Sequence, residues 1–555
     1  MSFVSFVSGG RCLRTYLCGF PFPHSSFLIL HLTITLSTIT ATHEFIAILD
    51  FGSQYAQLIA RRVRERKVYC EILPCTIPAA DLAARKPKGI ILSGGPASVY
   101  AENAPACSRE ILAMGVPVLG ICYGMQLGCM MLGCEVSPAT GRREYGRAEA
   151  TLAGASELFA GLPDTLEVWA SHGDHVSLVS GDFDVLASTP NCPNAAVKHR
   201  ASAFYGVQFH PEVVHTPLGG TIIENFLYRI CGCSGDWTMQ SFIDFAVQEI
   251  RERVGPTACA VCGVSGGVDS SVTDAITHRA LGNRLTCIFV DNGVLRKGEF
   301  ESVVKAFSGQ FNIHLLPIDA TDDFLGALAG RVDPEDKRKT IGRVFIEVFE
   351  REARKLRNIK FLAQGTIYPD VIESRSPLGG PSATIKSHHN VGGLPEKLGL
   401  GIVEPLRFLF KDEVRQLGRE LGLPDQILKR HPFPGPGLAV RMIGEVTRER
   451  LEVLRNADAI LIEELHASGQ YDKVAQAFAV LLPVSSVGVM GDERTYENVI
   501  AVRCVNTSDF MTADWSRLPQ ELLARISNRI INEVRGVNWV VYDISSKPPA
   551  TIEWE

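Results

Sequence analysis

The sequence lacks an excess of positive charge. Its 55 lysines and arginines are outnumbered by 61 aspartates and glutamates, which leaves a formal net charge of -6 at pH 7. Proteins that bind nucleic acid in general do so through clustered basic side chains, so this balance argues against a polynucleotide partner. With 46% hydrophobic and 21% charged residues over 555 positions, the chain is typical of a globular protein of about three or four domains.

The sequence also lacks a long uninterrupted apolar run. The best candidate, Phe27 to Ile39, is broken by a histidine and several threonines and is short for a membrane span. Arg11 and Arg14 precede it, and this pattern superficially resembles a secretory signal. Because a regular α/β pattern follows, we interpret residues 1–43 as a disordered extension or an early start site, with export as the alternative. We predict a cytoplasmic protein without a membrane partner.

The 15 cysteines lack the regular pairing of a disulfide framework. They therefore indicate a reducing compartment and mostly buried thiols. Cys259 and Cys262 have the spacing of a metal or redox pair, but residues three apart on a strand point to opposite faces. We interpret both as core residues, with a metal site as the alternative.

A glycine- and serine-rich turn lies between a strand-like run, Ala258 to Val264, and a helical run, Val272 to Leu281. The first amides of a helix lack partners and carry the positive end of its dipole, and glycine lets a phosphate approach the backbone. A Walker loop requires a lysine before its last hydroxyl, and this turn has none. The turn consists of Ser265, Gly266, Gly267, Val268, Asp269, Ser270 and Ser271.

This loop resembles that of the ATP pyrophosphatase family, whose members cleave ATP to AMP and pyrophosphate. The resemblance implies that all seven residues bind ATP. The alternative is a serine-capped helix after a glycine turn, without a ligand.

A nucleophile motif follows the apolar run that begins at Val116. Gly120 and Gly124 flank Cys122 in the spacing that holds a nucleophile on a sharp strand-to-helix turn. A helix N-terminus favours the thiolate of such a cysteine. Far downstream, a predicted strand ends at His210, and Glu212 follows two residues later. A base and its orienting carboxylate are what a cysteine nucleophile requires.

Residues 45 to about 230 resemble the class I glutamine amidotransferase family. The resemblance implies that Cys122 forms a γ-glutamyl thioester, His210 acts as general base and acid, and Glu212 orients His210. It also implies oxyanion donors on the backbone near Gly95 and Tyr123. The alternative is an inactive domain of the same fold.

The α/β pattern breaks near Cys231 to Trp237, and a helix from Gln240 to Arg253 opens a second domain. There, the charged run Asp333 to Lys339 leads into a helix and is either a solvated face or, by resemblance, part of a lid over ATP. Asp370 follows another strand and could hold Mg²⁺ or cap the next element. Lys411 resembles the lysine that neutralises pyrophosphate charge in ATP pyrophosphatases.

After Arg430 the pattern changes again. The proline-rich stretch His431 to Gly437 is predicted to be a rigid connection. Beyond it we predict helices over Glu445 to His466 and Tyr471 to Ala479, then three apolar strands. These elements indicate a small α+β domain for dimerisation and completion of a site.

From residue 45 to 555, the motifs occur in the order that resembles the bacterial family of glutamine-hydrolysing GMP synthases. The resemblance implies conversion of XMP, ATP, glutamine and water to GMP, AMP, diphosphate and glutamate, as a step of guanine nucleotide biosynthesis. It further implies Mg²⁺ with ATP, no prosthetic group, and a homodimer. The XMP ligands that it implies are Lys386, Arg494, Lys547, Thr551, Ile552 and Glu553.

The predicted fold class is α/β. A class I amidotransferase domain is predicted at 44–235 and an ATP pyrophosphatase domain, similar to adenine-nucleotide α-hydrolases, at 236–430. Both have parallel sheets, and the α+β dimerisation and XMP-binding domain is predicted at 431–555. The rival functions are another ATP pyrophosphatase, such as NAD synthetase or a tRNA thiolation enzyme, and a nucleotide-binding scaffold without catalysis.

Overall fold

The computed structural model describes residues 43–53, 55–95, 98–138, 143–309, 313–374, 399–490, 493–507, 510 and 512–555. The predicted extension, apart from His43, and the segment with Lys386 lie outside the described residues. The chain divides into two compact units. The first ends at Asp236 and the second is Trp237–Glu555.

The first unit is built on a large mixed sheet. Its strands β1 to β11 are Phe45–Asp50, Tyr69–Pro74, Gly89–Leu92, Val118–Ile121, Glu135–Pro138, Glu144–Leu152, Thr165–His172, Asp174–Leu178, Phe183–Ser188, Ala196–His199 and Phe204–Val207. The main sheet has the order β2-β1-β3-β4-β11-β10-β9-β6-β7, and β5 pairs with β8. Strands β2, β1, β3, β4 and β11 are joined by parallel pairs, and the remaining pairs of the main sheet are antiparallel.

Short helices follow the parallel strands of this unit. They are α1 to α4, at Tyr55–Arg64, Ala79–Ala84, Tyr123–Met131 and Gly219–Asn225, with a 3₁₀ helix at Arg109–Ala113 and a π-helical turn at Phe226–Ile230. The α1 helix buries Ala56, Ile59, Ala60 and Val63, which share one face at helical spacing. The central strands β3 and β4 are buried along their whole length, as expected for parallel strands covered on both faces.

The second unit begins with a parallel sheet. Its strands β12 to β16 are Cys259–Val264, Leu285–Asp291, Leu315–Asp319, Ile359–Ala363 and Gly401–Val403, in the order β14-β13-β12-β15-β16. The helices α5 to α12 are Met239–Val254, Val268–Leu281, Glu299–Gly309, Thr321–Leu328, Pro334–Ala353, Tyr368–Ser374, Lys411–Glu420 and Asp425–Leu428, and a 3₁₀ turn lies at Gly282–Arg284. The central strand β12 leads directly into the predicted phosphate loop.

The charged run Asp333 to Lys339 forms the cap and the first turns of α9 and is not wholly a solvated face. Asp333 caps the helix by accepting a hydrogen bond from the Asp336 amide at 2.9 Å. Lys337 is fully buried, and its Nζ donates to the Met442 carbonyl at 2.7 Å and to Glu555 Oε2 at 2.6 Å. The first turn of α9 is therefore anchored to the last residues of the chain.

A second sheet completes this unit. Its strands β17 to β20 are Gln476–Met490, Glu493–Asn506, Asp514–Trp515 and Val537–Tyr542, where β18 pairs with the other three. The helices α13 and α14 are Arg448–Ala467 and Gln520–Glu533, and 3₁₀ turns lie at Gly437–Arg441 and Tyr471–Lys473. Apolar side chains of both helices and of β17 and β18 belong to one core cluster, which includes Leu461, Leu481, Ile500 and Ile526.

The predicted helix over Tyr471 to Ala479 is wrong. Only Tyr471–Lys473 is helical, and β17 begins at Gln476. Ala477 and Phe478 are both buried although adjacent strand residues face opposite sides, because each side of the sheet is covered at this end. The stretch therefore shows no alternation of polar and apolar residues, and pairing with a distant strand decides its structure.

The predicted α/β fold class is confirmed, and the sheet of the first unit adds an antiparallel extension to its parallel strands. The boundary at 430/431 stays a prediction, since residues on both sides lie in one compact unit. Across the described residues, no helix combines the length and the apolar character that crossing a membrane requires.

Candidate active site

Cys122 lies on a strained turn between β4 and α3. Its φ of 50° is in a region that non-glycine residues rarely adopt. A Cβ at Gly120 would lie 2.6 Å from the Met125 amide nitrogen, and one at Gly124 would lie 2.3 Å from the Leu92 carbonyl oxygen. Only glycine fits at either position, so the predicted turn has its physical reason in close backbone packing.

His210 and Glu212 lie just beyond β11 and form a buried pair. His210 Nδ1 lies 2.8 Å from Glu212 Oε1, and the two residues are 2% and 0% exposed. The Cys122 side chain is close enough to His210 to act on its charge. Burial by itself would lower the pKa of His210, but the Glu212 carboxylate and Cys122 outweigh it and hold the pKa well above the usual value. The structure thus brings the three predicted residues together.

Two further groups contact the Cys122 sulfur. Gln208 Nε2 donates to Sγ at 3.7 Å, and Sγ lies 3.8 Å from the Ser171 carbonyl oxygen. His172, next to Ser171, is buried, and its Nε2 lies 3.2 Å from Glu144 Oε2. Gln208 is not among the residues predicted from the sequence, although its position two residues before His210 places it at the same strand end.

The backbone proposed to stabilise an oxyanion lies beside the nucleophile. A Cβ at Gly94 would approach His210 Cε1 at 3.3 Å, and one at Gly95 would approach the Tyr123 ring at 2.9 Å. Tyr123 is the first residue of α3, where helix amides lack intrahelical partners. The roles of Gly95 and Tyr123 as oxyanion donors stay a prediction.

In the second unit, the loop from Ser265 to Ser271 joins β12 to α6. Gly266 has a φ of +68°, in the left-handed region that favours glycine. Ser265 Oγ lies 2.9 Å from Ser270 Oγ and accepts from the Gly267 amide at 3.3 Å. Ser271 Oγ donates to the Gly267 carbonyl at 2.8 Å. The serine hydroxyls and the N-terminus of α6 therefore lie together at this turn.

Basic side chains from later parts of the unit reach this loop. Lys411, the first residue of α11, forms an ion pair with Asp269. Arg430 donates to the Gly266 carbonyl at 2.8 Å and pairs with Glu299. Lys411 was predicted to serve at the phosphates, whereas Arg430 was missed because no local motif marks it.

Asp370 lies in the first turn of α10. Its Oδ2 accepts a hydrogen bond from the Ile367 amide at 3.1 Å, so the carboxylate caps its own turn. Within the described ranges, no group of three or more His, Cys, Asp or Glu side chains is arranged to hold a metal ion. By contrast, Asp269 Oδ1 at the loop is buried and accepts no hydrogen bond from the described residues.

Glu553 lies in a polar network close to the end of the chain. Arg441, which is fully buried, donates to Glu553 Oε2 from Nε at 3.1 Å and to Oε1 from Nη2 at 2.9 Å. Gln476 Nε2 also donates to Oε1, at 2.7 Å. Nearby, the guanidinium groups of Arg441 and Arg296 each lie 5.0 Å from the Phe433 ring. Sequence analysis named only Glu553 of this network.

Two predicted XMP ligands lie far apart within the chain. Arg494 is exposed and pairs with Val489 near the start of β18. Lys547 forms a bridge with Ala513, next to the far end of β18 at Asn506. At about 3.3 Å per residue, roughly 40 Å of strand separates the two regions, so one chain does not place both side chains at one nucleotide.

Family models match both ends of the described chain. The model described as "Glutamine amidotransferase class-I" matches residues 47–230, and the one described as "GMP synthase C terminal domain" matches residues 463–554. The fold, the Cys–His–Glu geometry and these matches define the class of protein, a glutamine amidotransferase that carries a nucleotide synthase domain in the same chain.

Named relatives cover nearly the whole sequence. The protein "GMP synthase [glutamine-hydrolyzing]" of Carboxydothermus hydrogenoformans is 58% identical over 510 residues, which are 92% of this chain and 99% of the relative. That of Phenylobacterium zucineum is 56% identical over 521 residues, 93% of this chain and 100% of the relative. The chain belongs to the glutamine-hydrolysing GMP synthase family.

Among solved structures, a "putative gmp synthase subunit a protein" from Thermoplasma acidophilum is 30% identical. The match covers 34% of this chain and 94% of that one, with a TM-score of 0.31.

Proposed function

We propose that the chain converts XMP, ATP, glutamine and water to GMP, AMP, diphosphate and glutamate. The observation that carries this proposal is the buried Cys122–His210–Glu212 set, in one chain with a lysine-free glycine and serine loop. The Cys122–His210–Glu212 set can release ammonia from glutamine. The glycine and serine loop suits an enzyme that cleaves ATP between its α- and β-phosphates. Membership of the GMP synthase family supports the product.

In the first half-reaction, the Cys122 sulfur attacks the side-chain amide carbon of glutamine. His210 transfers a proton to the leaving nitrogen, ammonia departs, and a γ-glutamyl thioester forms. His210, now neutral, then takes a proton from the water that attacks the thioester, so that glutamate is released and the imidazolium–thiolate pair of His210 and Cys122 is restored. Glu212 holds the imidazole by its Nδ1, and the amides near Gly95 and Tyr123 stabilise the oxyanion.

In the second half-reaction, the XMP oxygen at C2 attacks the α-phosphorus of ATP, and pyrophosphate leaves. The loop amides and hydroxyls from Ser265 to Ser271 bind the phosphates, and Lys411 neutralises part of their charge. Ammonia then adds to C2, AMP leaves with the former C2 oxygen, and loss of a proton gives GMP. Adenylation makes that oxygen a good leaving group.

We assign XMP binding to Lys547, Thr551, Ile552 and Glu553, with Arg494 from a second copy. Glu553 is held by Arg441 and Gln476, so its carboxylate has a fixed position. Lys386 belongs to the same proposal, although it lies outside the described residues.

Mg²⁺ fits the loop as an ion that enters with ATP. It prefers oxygen ligands and is usually held by one or two carboxylates together with substrate phosphates. Asp269 offers a buried, unpartnered Oδ1, and Asp370 is the second candidate ligand. When bound, the ion would neutralise phosphate charge. The proposal includes no prosthetic group.

We further propose a cytoplasmic homodimer that forms through the second sheet of the second unit. Val487 and Val489 on β17, and Tyr496 opposite Val487 on β18, share one face and are 46%, 72% and 70% exposed. Such an apolar patch is typical of a protein interface. A second copy that packs on this face can supply its Arg494 to the XMP site that contains Lys547.

The cysteines of the described residues are free thiols, which suits the reducing compartment that we propose.

The decisive experiment measures GMP formation from XMP and ATP with either glutamine or ammonium. The wild type should use both nitrogen sources. Cys122→Ala should lose the glutamine-driven reaction and keep the ammonium-driven one, because the two half-reactions use different residues. Failure of the wild type to make GMP with either source would refute the proposed function.

A further inference from the structure

Arg503 is a fully buried arginine near the end of β18, where its neighbours Val502 and Cys504 are core residues. It lies on β18 opposite Phe478 and has no exposed surface. All three nitrogens of its guanidinium group nevertheless donate hydrogen bonds. Nε donates to the Ile552 carbonyl at 2.7 Å, and Nη2 donates to the Thr551 carbonyl at 2.7 Å. Nη1 donates to Asp543 Oδ2 at 2.6 Å and to the Ser545 carbonyl at 3.1 Å.

All four acceptors belong to one stretch of chain, residues 543–553, which we call the tail loop. Asp543 and Ser545 begin it, whereas Thr551 and Ile552 are near its end. A single side chain therefore ties the two ends of the tail loop together. Lys547 lies between them, and its backbone pairs with Ala513 through hydrogen bonds of 2.7 and 3.0 Å.

The chemistry of arginine explains why this position carries it. A guanidinium group has five donors in a rigid planar fork, whereas a lysine ammonium is a compact charge on a flexible stem. The fork can donate to several carbonyls at fixed separations that a single ammonium nitrogen cannot span. A buried charge is costly unless it is paired, and Asp543 supplies the counter-charge.

The tail loop contains no strand or helix, and apart from the bridge of Lys547 with Ala513 it is held by individual hydrogen bonds. Beyond β20, Asp543 is held by a backbone bond from its amide to the Val502 carbonyl at 3.0 Å, and its carboxylate accepts from Trp554 Nε1 at 2.9 Å. The carboxylate of Asp543 thus accepts hydrogen bonds from both Arg503 and Trp554. Loss of the guanidinium group would remove the hydrogen bonds to the carbonyls of Ser545, Thr551 and Ile552 at the same time.

We propose that Arg503 is a positioning residue for XMP: it holds the tail loop in the shape that presents Lys547, Thr551 and Glu553 to the nucleotide. The inference rests on the proposed function, because these residues are the assigned XMP ligands. Arg503 itself is buried beneath the tail loop and acts through the backbone that it holds.

The first test is the steady-state kinetics of Arg503→Lys with ammonium as nitrogen donor. Lysine keeps the charge beside Asp543 but cannot reach all three carbonyls. We expect the KM for XMP to rise about 10-fold or more, with the KM for ATP and kcat changed less than about 3-fold. Arg284→Lys is the matched control, since Arg284 also holds two carbonyls, of Gly255 and Ala258, at 2.7 and 3.0 Å, away from the tail loop.

The second test does not depend on the reaction. Amide hydrogen exchange of the nucleotide-free protein should be faster in peptides that cover 543–553 of Arg503→Lys, and unchanged in peptides that cover the loop at 265–271. Unchanged exchange together with an unchanged KM for XMP would overturn the role of Arg503. Faster exchange in a protein whose wild type makes no GMP would keep the structural role and refute the proposed function instead.

A second variant covers the case in which Arg503→Lys does not fold. Asp543→Asn keeps the arginine and its three carbonyl contacts but removes the counter-charge. A rise in the KM for XMP with an unchanged KM for ATP supports the positioning role. Equal changes in both KM values indicate general destabilisation and overturn it.

Discussion

The imidazole of His210 and the carboxylate of Glu212 form a buried pair, with 2.8 Å between Nδ1 and Oε1. The two residues are separated by a single proline in the sequence, so the pair depends on a turn of fixed geometry directly after β11. Because Glu212 is fully buried, its charge acts on His210 with little screening by solvent.

Replacing Glu212 with glutamine should impair only the glutamine-driven reaction. The amide keeps the shape of the side chain but neither favours the imidazolium nor fixes the same tautomer. We expect the glutamine-dependent kcat to fall by about 10²- to 10⁴-fold, as for carboxylates of other catalytic triads. The ammonium-driven rate should stay near that of the wild type.

The matched control for this change is Glu167→Gln. Glu167 is an exposed carboxylate of the same unit and pairs with Arg147 at 3.5 Å. The Glu167→Gln variant should leave both the glutamine-driven and the ammonium-driven rates unchanged. Equal losses of the glutamine-driven and ammonium-driven rates in Glu212→Gln would contradict a role confined to glutamine hydrolysis.

The pH dependence of glutamine use should report the raised pKa of His210. Because the folded-state pKa lies above the usual value, the protonated pair stabilises the fold fully below about pH 6.5, and this contribution is lost as the pH rises through the folded-state pKa. The reactive form of such sites is an imidazolium–thiolate pair, so the same deprotonation should set the alkaline limb of kcat/KM for glutamine.

Glu212→Gln should move this alkaline limb to lower pH, because it removes the carboxylate that raises the pKa of His210. The measurement is kcat/KM for glutamine against pH for the wild type, Glu212→Gln and Glu167→Gln. A limb that stays in place or moves to higher pH in Glu212→Gln would show that another group controls it.

Lys411→Met should weaken the use of ATP. The change removes the positive charge beside Asp269 and leaves that carboxylate near the ATP phosphates without its partner. We expect the KM for ATP to rise and the ammonium-driven kcat to fall, each by about 10-fold or more. Lys411→Arg should retain more activity because it keeps the charge.

Lys429→Met serves as the control for Lys411. Lys429 is an exposed lysine that pairs with Asp425 at 2.8 Å on a neighbouring helix. Lys429→Met should change neither the KM for ATP nor the ammonium-driven kcat. If Lys411→Met kept the kinetic constants of the wild type, Lys411 would not act at the phosphates.

Mixing two inactive variants should restore activity if a second copy completes the XMP site. Arg494→Ala and Lys547→Ala each remove one ligand, and each homodimer should be nearly inactive. After the protomers exchange, half of the dimers are mixed and one of their two sites is intact, so about a quarter of the wild-type activity should return.

Two controls make this result specific. A mixture with the double variant Arg494→Ala/Lys547→Ala, which cannot form an intact site with either single variant, should stay inactive. Tyr496→Asp should shift the protein toward monomers in sedimentation analysis. Mixed single variants that exchange protomers but remain inactive would exclude a shared site of this kind.

Much of the candidate site was predictable because its geometry is local. The spacing of Gly120, Cys122 and Gly124 requires a tight turn, and the structure shows that side chains at the two glycines would collide with backbone atoms. The loop from Ser265 to Ser271 likewise follows from a glycine turn between a strand and a helix. In both cases a few neighbouring residues decide the backbone conformation.

The sequence by itself determined the order of α/β elements, the nucleophile turn and the phosphate loop. Only the tertiary structure decided that Gln476–Met490 is a strand, that Lys337 is buried, and that Arg503 holds the tail loop. Strand pairing, burial of charge and hydrogen bonds to distant carbonyls depend on partners far away in the chain. Local periodicity carries no information about those partners, so these features could not be predicted from it.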